Sequence, residues 1–173
     1  GSLVTGSTFL TAASQLSFVT DHVLPRLLWL FGREPVLRED AVRGRLLFGT
    51  IETFLVYRLT GGRIHATDAS NAAASSLYNP FSLKWNALFC RFFRIPMGML
   101  PEVKNTADDY GRTRPELFGG LRIPIRAVVG DQMSALFGHC CFDPGEVKIS
   151  QGSGSFVDVN VGPRGRGSKR GLF

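Results

Sequence analysis

Ile125-Arg126-Ala127-Val128-Val129-Gly130-Asp131-Gln132 is the stretch whose reading decides the fold. Its apolar, β-branched run predicts a buried strand over residues 125–129. The strand delivers a carboxylate, Asp131, at its C-terminal end, beside a glycine and just before a helical pattern over 133–137 closed by Gly138. Ligands of α/β sheets collect at that end of the strands. Further on, Gln151-Gly152-Ser153-Gly154-Ser155-Phe156 joins two strand-like runs, 146–150 and 156–161, through small residues. Backbone N–H groups in such a loop can close around an anion. A fixed carboxylate near a phosphate-sized cradle is what phosphoryl transfer to an alcohol requires.

Each feature alone has a plainer explanation. An aspartate after a strand is often a helix N-cap, and Gly-Ser-Gly can be an ordinary hairpin turn. Gly130 favours function, because it lets backbone or ligand approach closely. An ordinary aspartate is a weak base near neutral pH. A loose phosphoryl transition state gives up the acceptor proton late, so orientation and metal binding matter more than base strength.

Outward from this stretch, the sequence alternates helices and strands, which implies an α/β layered fold. A helix is expected over 24–31, with Pro25 as its first residue. The alternating charges of 33–45 read as a surface connection. A helix follows Gly49, with Thr50 as N-cap, Glu52 in its first turn and Gly61-Gly62 as its stop. Residues 63–66 are expected as a short strand. Thr67 or Asp68 caps a helix over 69–77. Another helix spans 83–93, with Trp85, Leu88, Phe89, Phe92 and Phe93 as its core face. Residues 105–124 read as irregular, with turns at Tyr110-Gly111 and Gly119-Gly120, and Asp143-Pro144-Gly145 as a further turn. Residues 1–20, rich in Ser, Thr, Gly and Ala, read as a loop or a frayed edge.

Composition narrows the function classes. With 44% hydrophobic and 20% charged residues, the chain has the make-up of a soluble globular protein. The apolar run 27–31 is too short to span a bilayer, and no signal-peptide pattern opens the chain. A cytoplasmic protein without membrane insertion is therefore expected. The net charge of +6 owes four charges to Arg164, Arg166, Lys169 and Arg170, in a tail with no acid after Asp158. Without aromatic residues interleaved to stack bases, that tail argues for no nucleic-acid binding. Cys90, Cys140 and Cys141 have neither a disulfide framework nor CxxC spacing and read as buried reduced thiols. His22, His65 and His139 have no zinc spacing. No GxGxxG, Walker-type G-K-[ST] or Gly-x-Ser-x-Gly occurs, which removes dinucleotide, P-loop and serine-hydrolase readings.

Several segments, in order, resemble the FGGY carbohydrate kinases, and specifically their glycerol kinase branch. Arg26-Leu27-Leu28-Trp29 is similar to a K-x-x-W helix, and Gly49-Thr50-Ile51-Glu52-Thr53-Phe54-Leu55 to G-T-x-D-T-x-L with Glu for Asp. Leu59-Thr60-Gly61-Gly62 and Thr67-Asp68-Ala69-Ser70-Asn71-Ala72 follow at the family spacing. Ile95-Pro96 through Leu100-Pro101-Glu102-Val103 resembles I-P-x-x-x-L-P-x-V. Gly130-Asp131-Gln132 with Ala135-Leu136-Phe137-Gly138 resembles G-D-Q-x-x-A-L-F-G. Pro144-Gly145, Lys148 and Gly152-Ser153-Gly154-Ser155-Phe156 resemble P-G-x-x-K followed by G-T-G-x-F. Cys140-Cys141-Phe142 is similar to the subgroup that includes glycerol kinase 5.

The resemblance implies an actin-like ATPase (ribonuclease H-like) fold of two domains around a cleft. It implies ATP-dependent phosphorylation of a small polyol, most simply glycerol to glycerol 3-phosphate, with ATP and Mg²⁺ as cofactors. Asp131 is implied as catalytic base, Asp131, Gln132 and Phe156 as substrate-binding, Gly152, Ser153 and Gly154 as ATP-binding, and Asp131 with Gln132 as metal-binding. A homo-oligomer is compatible with it. The family's opening D-x-G-T loop, its Arg-Glu substrate pair, its later adenosine-binding glycines and a tyrosine before the K-x-x-W helix have no counterpart in the sequence. The chain is thus expected to be the C-terminal part of a first domain (1–144) and the start of a second (145–173), inactive by itself. The alternative is a catalytically inactive fragment or regulatory binding module that retains the kinase fold.

Overall fold

The computed structural model describes residues 22–163. The expectations for residues 1–20 and for the basic tail with Arg164, Arg166, Lys169 and Arg170 lie outside the described residues. Two helices come first, α1 (Val23–Arg33) and α2 (Pro35–Val42). Leu24, Leu27 and Phe31 recur along one face of α1 and are buried there, and Arg33 lies in the last turn, where the helix dipole favours a cation. Pro25 is the third residue of α1, within its first turn, rather than the first. The expected connection over 33–45 is instead mostly the helix α2. Pro35, with no N–H to lose, opens it, and burial of Ala41 gives it an inward face despite the alternating charges.

The helix α3 (Ile51–Leu59) forms where expected, and Gly61 and Gly62 end it with positive φ. Thr50 occupies the N-cap position without capping an amide. Its hydroxyl, with those of Thr53 and Thr67, donates to Glu52 Oε1. The short strand expected over 63–66 falls later, as β1 (Ala66–Asp68). Asp68 then caps α4 (Ala69–Ala73), which stops well short of residue 77. Ser75 Oγ turns back onto the Ala72 carbonyl and accepts from Leu77 N–H, which closes the turn.

The helix expected over 83–93 divides. Leu83 takes a positive φ, and Tyr78–Asn79 (β2) pairs with Lys84–Trp85 (β3) as a small antiparallel hairpin. Only Ala87–Phe92 is helical (α5), capped by Asn86. Phe89 and Cys90 are buried, but Leu88 and Phe92 are exposed, so the expected core face is half right. A 3-10 turn (Met97–Met99) leads to β4 (Glu102–Lys104), which pairs parallel with β1. Parallel neighbours need a long crossover, and α4, the small hairpin and α5 supply it.

Two clusters hold these parts together. The larger contains Leu24, Leu27, Phe31, Leu77, Cys90, Ile95 and Met99. The smaller, Val56, Ala66, Tyr110 and Val128, lies under the approach to Asp131. Residues 105–124 are irregular, as expected, apart from a 3-10 turn at Pro115–Leu117. The strand expected over 125–129 does not form as a ladder. Its backbone pairs with the preceding segment through isolated bridges, Ala107 with Ala127 and Arg112 with Pro124. The partner segment is bent by the Asp108-Asp109 turn and by Gly111 at positive φ, so no continuous pairing can run along it. Val128 is buried and Val129 is not.

The helix α6 (Asp131–Gly138) packs on the hairpin of β5 (Val147–Gln151) and β6 (Ser155–Val159). The hairpin register pairs Lys148 with Asp158 and Ser150 with Phe156. The expected turn at 143–145 precedes it, with Glu146 N–H donating to Asp143 O and Gly145 at positive φ. The thiols depart from expectation. Cys90 is fully buried, but Cys140 is exposed and Cys141 half-buried. Among the described residues no helix is long and apolar enough to cross a membrane.

Candidate functional site

Gly130, not Asp131, is the N-cap of α6. Asp131 is the first helical residue, exposed, and its Oδ1 accepts the Gln132 N–H at 2.8 Å. A carboxylate there is favoured by the positive end of the helix. Among the described residues its Oδ2 meets only the Gln132 amide, at 3.5 Å, which leaves it open to an acceptor hydroxyl or a cation.

Gln132 ties this helix to the hairpin. Its Oε1 accepts from Lys148 Nζ at 2.6 Å and from Ser150 Oγ at 3.4 Å. Lys148 is buried and pairs with Asp158 Oδ2 at 2.8 Å. Period-two alternation puts Lys148, Ser150, Asp158 and Phe156 on the face toward α6. Val147, Ile149, Val157 and Val159 fall on the other face and are exposed. The lysine fixes the rotamer of Gln132, with its oxygen toward the ammonium and its NH₂ toward Asp131.

Ser150 lies two residues before Gly152, so the same contact brings the 152–154 turn to the end of the hairpin near α6. Gly152 N–H donates to Gly154 O at 3.0 Å, while Ser153 and Gly154 N–H have no acceptor among the described residues. A Cβ added at Gly152 would meet no atom within 4 Å, and one at Gly154 would press on the Phe156 ring at 3.0 Å. Phe156 therefore folds back over the turn, half exposed, on the face that Ser150 shares.

A hard cation needs oxygen ligands, and Mg²⁺ is held typically by one or two carboxylates plus phosphates. The open Oδ2 of Asp131 fits that role. Gln132 fits it poorly, because its oxygen already faces an ammonium. Among the described residues no cluster of three or more His, Cys, Asp or Glu forms a metal cage.

Sequence reasoning read Asp68 as a possible cap and, with Ser70, as part of a family-like segment, gave neither a role in the site, and passed over Thr106. Asp68 is fully buried, and its carboxylate takes hydrogen bonds from Ser70 N–H and Oγ, Asn71 N–H and Nδ2, and Thr106 Oγ1. Burial is the largest single influence on it and acts to raise its pKa. The hydrogen bonds from Ser70, Asn71 and Thr106 together outweigh burial and hold it below the usual carboxylate range. The Asp68-x-Ser70-Asn71 spacing was the available signal, since short polar residues after a capping aspartate can turn back on it.

With this geometry in view, residues 5–138 match the N-terminal domain of the FGGY family of carbohydrate kinases. The chain is 43% identical over 162 residues to glycerol kinase 5 of Danio rerio, covering 94% of this chain and 30% of that protein. It is 48% identical over 134 residues to the glycerol kinase of Rhodospirillum centenum, covering 78% of this chain and 27% of that protein. Among solved structures, Plasmodium falciparum glycerol kinase with ADP superimposes with a TM-score of 0.72 at 35% identity, covering 76% of this chain and 26% of that one. The chain spans about a third of the length of the curated relatives it matches. Motif order, the tie between the Asp131 helix and the glycine hairpin, and these likenesses agree on an actin-like ATPase fold, and the chain belongs to the FGGY family of carbohydrate kinases.

Proposed function

We propose that this chain forms part of a kinase that transfers the terminal phosphoryl group of ATP to a small polyol, with glycerol as acceptor and glycerol 3-phosphate as product. The observation that carries the reading is the Gln132 contact with Lys148 and Ser150, which joins the helix bearing Asp131 to the hairpin bearing Gly152, Ser153 and Gly154. The glycerol kinases it resembles support the choice of acceptor.

In this reading Asp131 orients the attacking hydroxyl and accepts its proton through Oδ2. Gln132 NH₂, turned away from Lys148, donates to a neighbouring hydroxyl of the polyol. Phe156 packs against the carbon skeleton. The amides of Ser153 and Gly154, with Gly152 leaving open space beside them, receive nucleotide phosphate. Bound Mg²⁺ would neutralise phosphate charge, with Asp131 as its protein ligand.

We place the division between two domains at the Asp143-Pro144-Gly145 turn, giving 1–144 and 145–173. The family match ending at residue 138 supports it. The proposal extends to a cytoplasmic location.

The test is a phosphorylation assay with glycerol and labelled ATP on a polypeptide of the relatives' full length carrying these 173 residues. Magnesium-dependent formation of glycerol 3-phosphate is expected. The 173 residues alone should give none, because the Asp131 carboxylate stands exposed to water and transfer needs a closed, positioned site. Absence of turnover in the long form, with glycerol and other small polyols alike, overturns the reading.

A further inference from the structure

Asp131 stands on a backbone that another part of the fold holds in place. Gly130 N–H, immediately before it, donates to Ser70 Oγ at 2.7 Å. Ser70 Oγ in turn donates to Asp68 Oδ2, also at 2.7 Å. A hydroxyl has one proton, so this arrangement has a direction: the carboxylate takes the serine proton and leaves the serine lone pair for the Gly130 amide. The Asp68 carboxylate is fully buried, and its five donors leave it no other rotamer that keeps them all.

A second branch reaches the same backbone. Thr106 Oγ1 donates to Asp68 Oδ2 at 2.7 Å, and Val128 N–H donates to the Thr106 carbonyl at 2.9 Å. Asp68 thus fixes the chain on both sides of Val129, in the place of the strand ladder that does not form there. Gly130 has an ordinary φ, so it is not glycine for its conformation. A Cβ at Gly130 would lie 3.2 Å from Ser70 Oγ, so a side chain there would fit only if the serine hydroxyl gave way by a few tenths of an ångström.

We propose that Ser70 is a positioning residue for Asp131. Its hydroxyl, oriented by Asp68, anchors the Gly130 amide and so sets where the carboxylate of the first residue of α6 is presented. The proposal rests on the kinase reading above for its catalytic consequence, but not for the anchor itself. Ser70 touches neither substrate nor nucleotide in this reading, and its effect passes through the backbone.

The experiment compares wild type, Ser70→Ala and Ser70→Thr in a polypeptide of the relatives' full length carrying this chain. Steady-state kinetics with glycerol and ATP are read beside hydrogen exchange of the Gly130 amide. Ser70→Ala should lower kcat about ten- to a hundredfold, as small misplacements of a catalytic group do, while KM for ATP changes by less than about twofold. Its Gly130 amide should lose protection. Ser70→Thr retains the hydroxyl and should restore both kcat and protection. Should Ser70→Ala fail to fold, Gly130→Ala crowds the same contact from the other side and should show the same kcat loss. Lost protection with unchanged kcat, or a Ser70→Thr variant as impaired as Ser70→Ala, overturns the proposal. Wild type without turnover overturns the kinase reading and the catalytic consequence with it. In that case the exchange data still decide the anchor, and unchanged Gly130 protection in Ser70→Ala refutes it.

Discussion

Lys148 Nζ lies 2.6 Å from Gln132 Oε1 and 2.8 Å from Asp158 Oδ2, so one buried ammonium joins α6 to both strands of the glycine hairpin. The lysine side chain is 4% exposed and its aspartate partner 16%, which removes most of the solvent screening that makes surface pairs weak. Removing one member of such a pair leaves the other buried and uncompensated. Lys148→Met should therefore cost about 3–5 kcal/mol. Lys148→Met combined with Asp158→Asn should cost less than Lys148→Met alone. Urea unfolding of the three proteins measures both, and equal losses in single and double variants would refute the coupling.

Asp131→Asn keeps shape and most hydrogen bonding but removes the base and the metal-directed charge. In the long form, turnover should fall by about two orders of magnitude or more, the range general-base removal commonly gives. Nucleotide affinity, read by calorimetry, should stay within about threefold, since Asp131 is not assigned to the phosphate loop. Normal turnover in this variant would end its assignment as base.

Gly152→Val adds a side chain where the protein has open space. The fold should tolerate it, with a melting temperature close to wild type. Nucleotide binding should weaken by about tenfold or more, because the new methyl groups project beside the amides meant for phosphate. Titration with a non-hydrolysable ATP analogue reads this directly. A stable variant with unchanged affinity would move the phosphate site elsewhere.

Asp68 makes stability depend on acid. Its folded pKa lies below that of an ordinary aspartate, so its contribution is present above about pH 4 and is lost as pH falls through the folded value. The urea midpoint should drop between pH 6 and pH 3. Asp68→Asn should be less stable at pH 6 and show a smaller drop. An identical acid slope in the two proteins would assign it to other carboxylates.

The thiols should react in a fixed order. Burial pushes the Cys90 thiol up to about 11, and no part of it is exposed, so it stays protonated and shielded at pH 8. Iodoacetamide should label Cys140 in the folded protein and Cys90 only after denaturant is added, as peptide mass mapping reads. Prompt labelling of Cys90 under native conditions would show that the core around α5 opens.

Local chemistry was legible in the residues themselves. The stop at Gly61-Gly62, the Asp68 cap, the turn at 143–145 and the β5–β6 hairpin each depend on neighbours a few residues apart, and each forms. Family membership was equally legible, because it rests on the order of short motifs. What failed depended on distant partners. The charge pattern of 33–45 hid a helix that Pro35 opens and Ala41 buries, and residues 83–86 turned into half a hairpin because Tyr78 and Asn79 were there to pair with.

Asp131 shows the division most sharply. The sequence by itself determined that a carboxylate follows Gly130 and begins a helix, and that a small-residue turn comes later in the chain. Only tertiary structure decided how either is held. The expected ladder over 125–129 gives way to single backbone bridges, and the position of Asp131 passes instead to a serine sixty residues before Gly130 and to a lysine on the hairpin. The physical reason is that a buried carboxylate or ammonium must gather donors or acceptors from wherever the fold brings them. Sequence spacing cannot say which residues those will be.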